Sequence, residues 1–306
     1  MASPLAHTVG IWLIAIFLQA MLHGMGLLQT FLYFVWYHKD NWTIKGTVIV
    51  MIVIESVQMG AAFSNVYTWL IDGFGDFENL GIIHWQDMVQ LTALYLSTFV
   101  AQAHFTRCIY QLQREYVVLP ALILLLSLTA LGGGIGQVIL VIRVGEYSKL
   151  GQTSATTNLQ AAFALASDTL ITFGLCWRLN KSRTGIQSTN NVLNFLIMTA
   201  INRGVFTMFF AALNVILFVS QPGTFYFMLA LLLSDKFYMN SMLAMLNTRQ
   251  QAIRMHRSTV VEQISMPIFA SNAQSVQDSI IVQSGTATEG EARLENLTIT
   301  NRKFAI

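Results

Sequence analysis

The sequence has few charged residues: only 10% of its 306 residues are Asp, Glu, Lys or Arg, whereas an ordinary soluble domain has about 25%. Hydrophobic residues make up 54% of the chain, and the mean hydropathy is +0.56. A soluble globule of this length could not bury so much apolar surface, so the composition excludes a soluble enzyme and a disordered chain. The net charge of +2 gives no bulk attraction to nucleic acid, so no nucleic-acid partner is expected. The composition therefore predicts a multi-pass membrane protein in a lipid bilayer.

The common sequence signatures of catalysis and metal binding are also missing. Two cysteines, Cys108 and Cys176, cannot supply a disulfide framework or a zinc finger. The six histidines are scattered, and the sequence contains no H-E-x-x-H pair, no P-loop and no G-x-S-x-G elbow. We therefore expect no metal, no cofactor and no recognisable catalytic residue, and a non-enzymatic role is favoured.

Apolar runs of the roughly 20 residues needed to cross a bilayer occur seven times. They predict an all-α integral membrane protein, a bundle of seven transmembrane helices over residues 1–249. Residues 250–306 are dominated by Ser, Thr, Gln, Asn and Glu, and they predict a polar, mostly disordered cytosolic tail. The predicted spans are about 9–37, 46–70, 86–107, 117–142, 158–178, 192–220 and 224–246.

The distribution of Lys and Arg among the loops predicts the orientation. Ten of these residues, among them Lys39, Arg107 and Arg183, fall on one side of the predicted membrane, whereas the other side has only Arg143 and Lys149. Because short cytosolic loops carry the excess of positive charge, the N-terminus is predicted outside and the C-terminus in the cytosol. The plasma membrane and the endoplasmic reticulum are both open as locations.

Two glycosylation sequons test this orientation. They begin at Asn41 and Asn296, and both fall on the predicted cytosolic side. Neither should carry a glycan, because glycosylation takes place on the opposite side of the membrane.

Five ionisable residues fall near the middle of the predicted spans, at a depth of roughly 13–18 Å. Charges inside a membrane are expensive, so these side chains should face the bundle interior and compensate one another. They predict a cluster that binds a ligand, handles protons or switches between states, although interhelical hydrogen bonding alone is a structural alternative. The five residues are Glu55, Asp168, Arg203, Asp235 and Lys236.

Polar residues recur at helical spacing on most of the spans. Three- and four-residue steps place them on one face of each helix, which predicts a polar central cavity. The predicted lining residues are Gln58, Asn65, Asp87, Gln90, His104 and Asn214. On the fourth span, Gly132 and Gly136 form a small-xxx-small pair that predicts close helix packing.

Four stretches carry a family resemblance. They are Gln29 through Tyr33 to Tyr37-His38-Lys39-Asp40, then Gln102-x-x-Phe105-x-Arg107-x-x-Tyr110, then Ser167-Asp168 with Arg183-Thr184-Gly185, and the run from Asp235-Lys236-Phe237-Tyr238 through Asn240 to Arg249. Together they resemble the domain of unknown function 6534 family, multi-span membrane proteins of mushroom-forming (basidiomycete) fungi, over roughly residues 15–250. The resemblance implies the architecture and a fungal source, but no activity. It adds Tyr238 and Asn240 to the candidate ligand-binding or switch cluster.

Three functions are compatible with these patterns. The first is a receptor-like bundle that binds a small molecule or a partner in its polar cavity, with cytosolic partners contacting the loops and the tail. The second is an intramembrane enzyme or accessory protein of fungal secondary metabolism, with terpene-cyclase-like acid chemistry at Glu55 or Asp168. The third is a transporter, although no inverted repeat is visible. The sequence leaves the ligand and the oligomeric state open.

Overall fold

The computed structural model describes residues 9–76, 79–112, 117–181, 187–220, 226 and 228–248, and the predicted tail at 250–306 lies outside them. The described residues are predominantly helical, as predicted. The long helices are α1 (Val9–Trp36), α2 (Trp42–Tyr67), α3 (Trp85–Leu112), α4 (Val118–Val144), α5 (Ser154–Lys181), α6 (Gln187–Ser220) and α7 (228–248).

Four segments of the described chain are long and apolar enough to cross a membrane. They are Gly10–Trp36, Trp42–Asp72, Val118–Val144 and Tyr147–Lys181. Their length and composition fit an integral membrane protein with several spans.

Several helices extend beyond the apolar runs that predicted them. α2 already begins at Trp42, because the side chain of Asn41 caps it by accepting a hydrogen bond from the backbone amide of Thr43 at 3.4 Å. After α2 the chain continues as one π-helical turn, Thr68–Asp72. Hydropathy marks the part of a helix that suits the bilayer, whereas capping decides where the helix ends.

Many large apolar residues are exposed and several charged residues are buried, unlike in a soluble globule. Phe17, Phe63 and Phe209 each expose more than half of their surface, whereas Glu55 and Lys236 are fully buried. An apolar exterior with charged groups inside is the arrangement that a bilayer requires, because lipid solvates the former and not the latter.

One end of the bundle, which we call the Trp12 end, is closed by aromatic contacts. Trp12 of α1 packs edge-to-face on Trp69, with ring centroids 5.2 Å apart, and Trp69 contacts Tyr147 in the same manner at 6.1 Å. The α2–α3 and α4–α5 connections meet here, where the amide of Ile83 donates to the carbonyl of Gly145 at 2.9 Å. Gly145 ends α4 with a φ of 69°, a left-handed conformation that glycine adopts without strain.

An exposed ion pair follows this turn. Lys149 Nζ lies 2.7 Å from Glu146 Oε1, with about half of each side chain in solvent. The hydrogen bond from Lys149, with a second from Ser148, lowers the pKa of Glu146. Exposed ion pairs of this kind contribute little to the stability of the folded protein.

The opposite end, which we call the Tyr37 end, holds the largest apolar core. Tyr33 and Tyr37 stack at 5.4 Å between ring centroids, and the Tyr37 hydroxyl donates to the carbonyl of Asn247 in α7 at 3.2 Å. Phe105 of α3 and Met242 of α7 are fully buried in the same core. These contacts fix the register of α1 and α3 against α7.

α7 lies at the centre of the bundle. Its side chains contact α1, α2, α3, α5 and α6. The consecutive residues Asp235 and Lys236 are both almost fully buried, although their side chains point about 100° apart. α7 is therefore surrounded by other helices rather than packed against the bundle by one face.

The closest contacts of the glycine run in α4 are not at the predicted pair. A Cβ on Gly132 would meet nothing within 4 Å, and one on Gly136 would make only an ordinary contact with Thr156. The tight positions are Gly133, against α5, and Gly134, whose Cβ would collide with the ring of Tyr95. The prediction was wrong about which glycines matter, because spacing along a helix does not reveal which face meets a neighbour.

Candidate functional site

The first ion pair of the interior joins α2 and α7. Lys236 Nζ donates hydrogen bonds to Glu55 Oε2 and to Gln58 Oε1, and all three side chains are fully buried. Glu55 and Gln58 are three residues apart on α2, so they lie on one face and reach the same ammonium group. The structure thus places three of the predicted site residues in direct contact.

Asp235 adds a second carboxyl group to this pair. Ser97 of α3 donates its hydroxyl to Asp235 Oδ1, and the Asp235 carboxyl group lies close enough to Glu55 to interact with it electrostatically. We refer to Glu55, Asp235 and Lys236 as the central cluster. Two acids and one base therefore meet here with at most 1% of any side chain exposed.

A second ionic centre joins α5, α6 and α7 around Asp168. The Asp168 carboxylate accepts hydrogen bonds from Arg203 at 2.8 Å, from Gln102 at 3.1 Å and from the Tyr238 hydroxyl. The Arg203 guanidinium also lies over the ring of Phe105, 3.9 Å from its centroid. Three donors, one of them the positively charged Arg203, satisfy this carboxylate, so the centre is formally neutral.

The two centres adjoin along α7 but have separate partners. Lys236 and Tyr238 are two residues apart, a rise of about 3 Å, and their side chains point to different neighbours. Glu55 pairs with Lys236, whereas Asp168 pairs with Arg203. The five predicted midplane residues are all buried, but they divide into two sites rather than forming one.

Asp87 lies in a third polar group, at the Trp12 end. Its carboxylate accepts from Asn65 Nδ2 at 2.6 Å and from the backbone amide of His84 at 2.9 Å. Asn65 is fully buried and Asp87 nearly so. These bonds tie the end of α2 to the start of α3, and they leave Asp87 well supplied with donors.

A small pocket, with a volume of about 30 Å³, opens beside Asp87 at this end. Gln90 lies on its wall and is only 3% exposed, yet neither its amide oxygen nor its amide nitrogen has a hydrogen-bond partner among the described residues. A buried amide without partners is costly, so it marks a place where a polar group of a ligand or water fits. The rest of the wall is Trp12, Ile83, Leu91, Val141, Tyr147, Leu150, Met228, Leu231 and Leu232.

The other predicted cavity residues do not line this pocket. His104 is buried one turn before Cys108, whose sulfur is 3.6 Å from its Nε2 atom, and Asn214 is half-buried on α6. Asn240 donates to the carbonyls of Leu22 and Lys236 and accepts from Gln29, so it fastens α1 to α7. Its contacts support the structural alternative for this residue.

Three residues near the two ionic centres, Ser97, Gln102 and His23, were not among the predicted site residues. Ser97 lies on the polar stripe of α3, and the structure buries that stripe at Asp87, Gln90, Leu94, Ser97, Ala101 and His104. Helical spacing therefore contained the signal for Ser97. His23 of α1 lies close enough to Lys236 to interact with it electrostatically, and its spacing from Gln19 and Thr30 already places it on the buried face of α1.

Among the described residues, no group of three or more His, Cys, Asp or Glu side chains is arranged to hold a metal ion.

Comparison with known proteins identifies one family. A model described as a family of unknown function (DUF6534) matches residues 164–251. This segment contains the Ser167-Asp168 motif and the motif that begins at Asp235, so it includes both acidic partners that α5 and α7 contribute to the interior. No curated protein and no solved structure shows a significant match to the chain.

Proposed function

We propose that the chain is a receptor-like membrane protein of seven transmembrane helices that binds a small amphipathic molecule in the pocket beside Gln90. The N-terminus is outside, the C-terminus is cytosolic, and cytosolic loops and tail carry the output. The observation that carries the proposal is the buried Gln90 amide without partners in an otherwise apolar pocket. Apolar walls with a few convergent polar groups are the usual form of a small-molecule site.

The orientation supports this function. With the N-terminus outside, the Trp12 end faces the exterior, and the pocket opens between the start of α1, the start of α3 and the start of α7. A molecule could then reach Gln90 from outside without crossing the bundle. The Lys- and Arg-rich loops would lie at the Tyr37 end, in the cytosol.

The wall chemistry defines the class of ligand. Gln90 offers one donor and one acceptor, which suits a hydroxyl or a primary amide. Asp87 already accepts two hydrogen bonds from protein donors, so it shapes the pocket more than it attracts a cation. The apolar wall suits an aliphatic body, so we expect an alcohol or a primary amide that carries an aliphatic chain.

α3 connects the pocket to the interior. Gln90 and Ser97 are seven residues apart on the same face of α3, about 10 Å along the helix. Ser97 donates to Asp235 of α7, so a displacement of α3 at the pocket would reach the central cluster through one hydrogen bond. A rigid helix between two sites provides the contiguous contact that coupling requires.

Ligand-dependent thermal stabilisation of the purified full chain in lipid nanodiscs tests the proposal. The probes are medium-chain 1-alkanols and primary fatty amides, with alkanes of equal length as negative probes. Gln90→Leu should abolish the stabilisation, because Leu keeps the apolar wall and removes both polar atoms. Gln19→Leu is the matched control, since Gln19 is also buried with both amide atoms lacking partners but does not line the pocket.

The proposal fails if neither probe class stabilises the wild-type protein, or if Gln90→Leu and Gln19→Leu respond alike. The alternative, acid catalysis at Glu55 or Asp168, has less support. Each of these carboxyl groups is paired with a basic side chain, and neither lines the pocket.

A further inference from the structure

The central cluster has an unbalanced formal charge. Glu55 and Asp235 are acids and Lys236 is the single base, and at most 1% of any of the three side chains is exposed. With all three ionised, the cluster has a net charge of −1 in surroundings that solvate charge poorly. The neighbouring centre cannot compensate, because Arg203 is already paired with Asp168.

The hydrogen bonds show where a proton would remove this imbalance. Lys236 satisfies Glu55 Oε2, and Ser97 satisfies Asp235 Oδ1. Among the described residues no donor reaches the other two oxygens, Glu55 Oε1 and Asp235 Oδ2. The two carboxyl groups nevertheless lie close enough to interact electrostatically, and two carboxylates would repel each other.

We propose that Glu55 and Asp235 share one bound proton, which makes the central cluster a buried proton-binding site. One carboxyl group is then a carboxylic acid whose O–H donates to the carboxylate of the other, while Lys236 remains an ammonium. The cluster is neutral, and the two oxygens without a protein donor satisfy each other. The pair of like charges is removed by one proton, as in other carboxyl dyads.

The groups around the cluster favour this location over others. His23 faces it from α1, Gln58 from α2, Ser97 from α3, and Asp168, Arg203 and Tyr238 lie beyond it on α5, α6 and α7. His23 is the other group near the cluster that could carry a compensating proton. Its Nε2 atom is 3.4 Å from Ser56 Oγ. A charged imidazole would face the Lys236 ammonium, so the proton is better placed between the two acids.

Infrared difference spectroscopy of the full chain in lipid nanodiscs tests the proposal without any ligand. A protonated carboxyl group gives a C=O stretching band that ionised carboxylates lack, and the band shifts in D₂O. The wild-type protein should show such a buried band near neutral pH. Glu55→Gln and Asp235→Asn should each abolish it, because either change leaves a single acid paired with Lys236.

Asp87→Asn is the matched control, since Asp87 is a buried acid outside the cluster and the band should survive its replacement. Asp235→Glu keeps the pair and should retain the band with an altered frequency, which separates loss of the proton from loss of the fold. Absence of the band in the wild type, or its survival in either Glu55→Gln or Asp235→Asn, would overturn the proposal. Assignment of the bound proton to His23, through a signal lost in His23→Gln, would overturn it too.

This result is independent of the proposed ligand. A missing band with an intact response to alkanols leaves the pocket function in place, and a band without any response leaves the proton site in place.

Discussion

Replacement of Lys236 by Met should destabilise the protein by about 4 kcal/mol at pH 7. Lys236 is fully buried and donates to Glu55 and Gln58, and Met keeps most of its volume while it removes the charge. The variant retains two acids in the central cluster without a base. Truncation of one partner of a buried ion pair typically costs about 3–5 kcal/mol for this reason.

The same magnitude follows from the proton balance. To stay neutral, the variant must hold one proton more than the wild type. Protonating a carboxyl group with an ordinary pKa of about 4.3 costs about 3.7 kcal/mol at pH 7, because each pH unit corresponds to about 1.4 kcal/mol. At pH 5 the same step costs only about 1 kcal/mol, so the destabilisation should shrink as the pH falls.

Thermal or denaturant unfolding in one detergent, at several pH values, measures this effect. Lys149→Met is the control lysine, since its ion pair with Glu146 is exposed, and its stability should match the wild type. The double variant Glu55→Gln, Lys236→Met leaves one acid and no base, and it should recover much of the lost stability. A loss below about 1 kcal/mol at pH 7, or a loss that does not change with pH, would refute the reasoning.

Two further predictions concern packing and orientation. Gly134→Ala should destabilise the protein by about 1–3 kcal/mol in the same unfolding assay, because the new Cβ meets the ring of Tyr95. A hydrogen bond to Gln137 holds that ring in place. Gly132→Ala is the control and should be neutral, because a Cβ at Gly132 has open space. In intact cells, Lys149→Cys should react with a membrane-impermeant thiol reagent, whereas Lys39→Cys should react only after permeabilisation. The reverse order of reactivity, or a glycan on Asn41, would invert the proposed orientation.

The helices could be predicted from the sequence because a bilayer imposes a minimum apolar length, and that length is visible in each run. The burial of the five midplane residues could be predicted for a related reason, since a charge at that depth must avoid lipid. Depth, however, gives only the position of a residue along the membrane normal and not the helix that it faces. It could not show that Glu55 pairs with Lys236 and Asp168 with Arg203, because the neighbours of each helix are set by packing.

The pocket could not be predicted, although two of its residues were. Asp87 and Gln90 lie on the polar stripe of α3, so their inward direction follows from helical spacing. The walls come from the connections near Ile83 and Tyr147 and from α7, which meet only in the folded chain. No local pattern shows which segments meet there, so the sequence could not separate Gln90, which lines the pocket, from Gln58, which binds Lys236.

The central position of α7 also bears on how the protein is made. An aspartate or a lysine at the middle of a helix opposes its transfer from the translocon into lipid by about 2.5–3.5 kcal/mol, and α7 has one of each in succession. Its partners Glu55, Ser97 and Asp168 belong to helices that are synthesised earlier. In the proposed seven-span arrangement, insertion of α7 depends on helices already in the membrane, so damage to α2 or α5 would appear first as a failure of biosynthesis, with α7 left outside the bilayer.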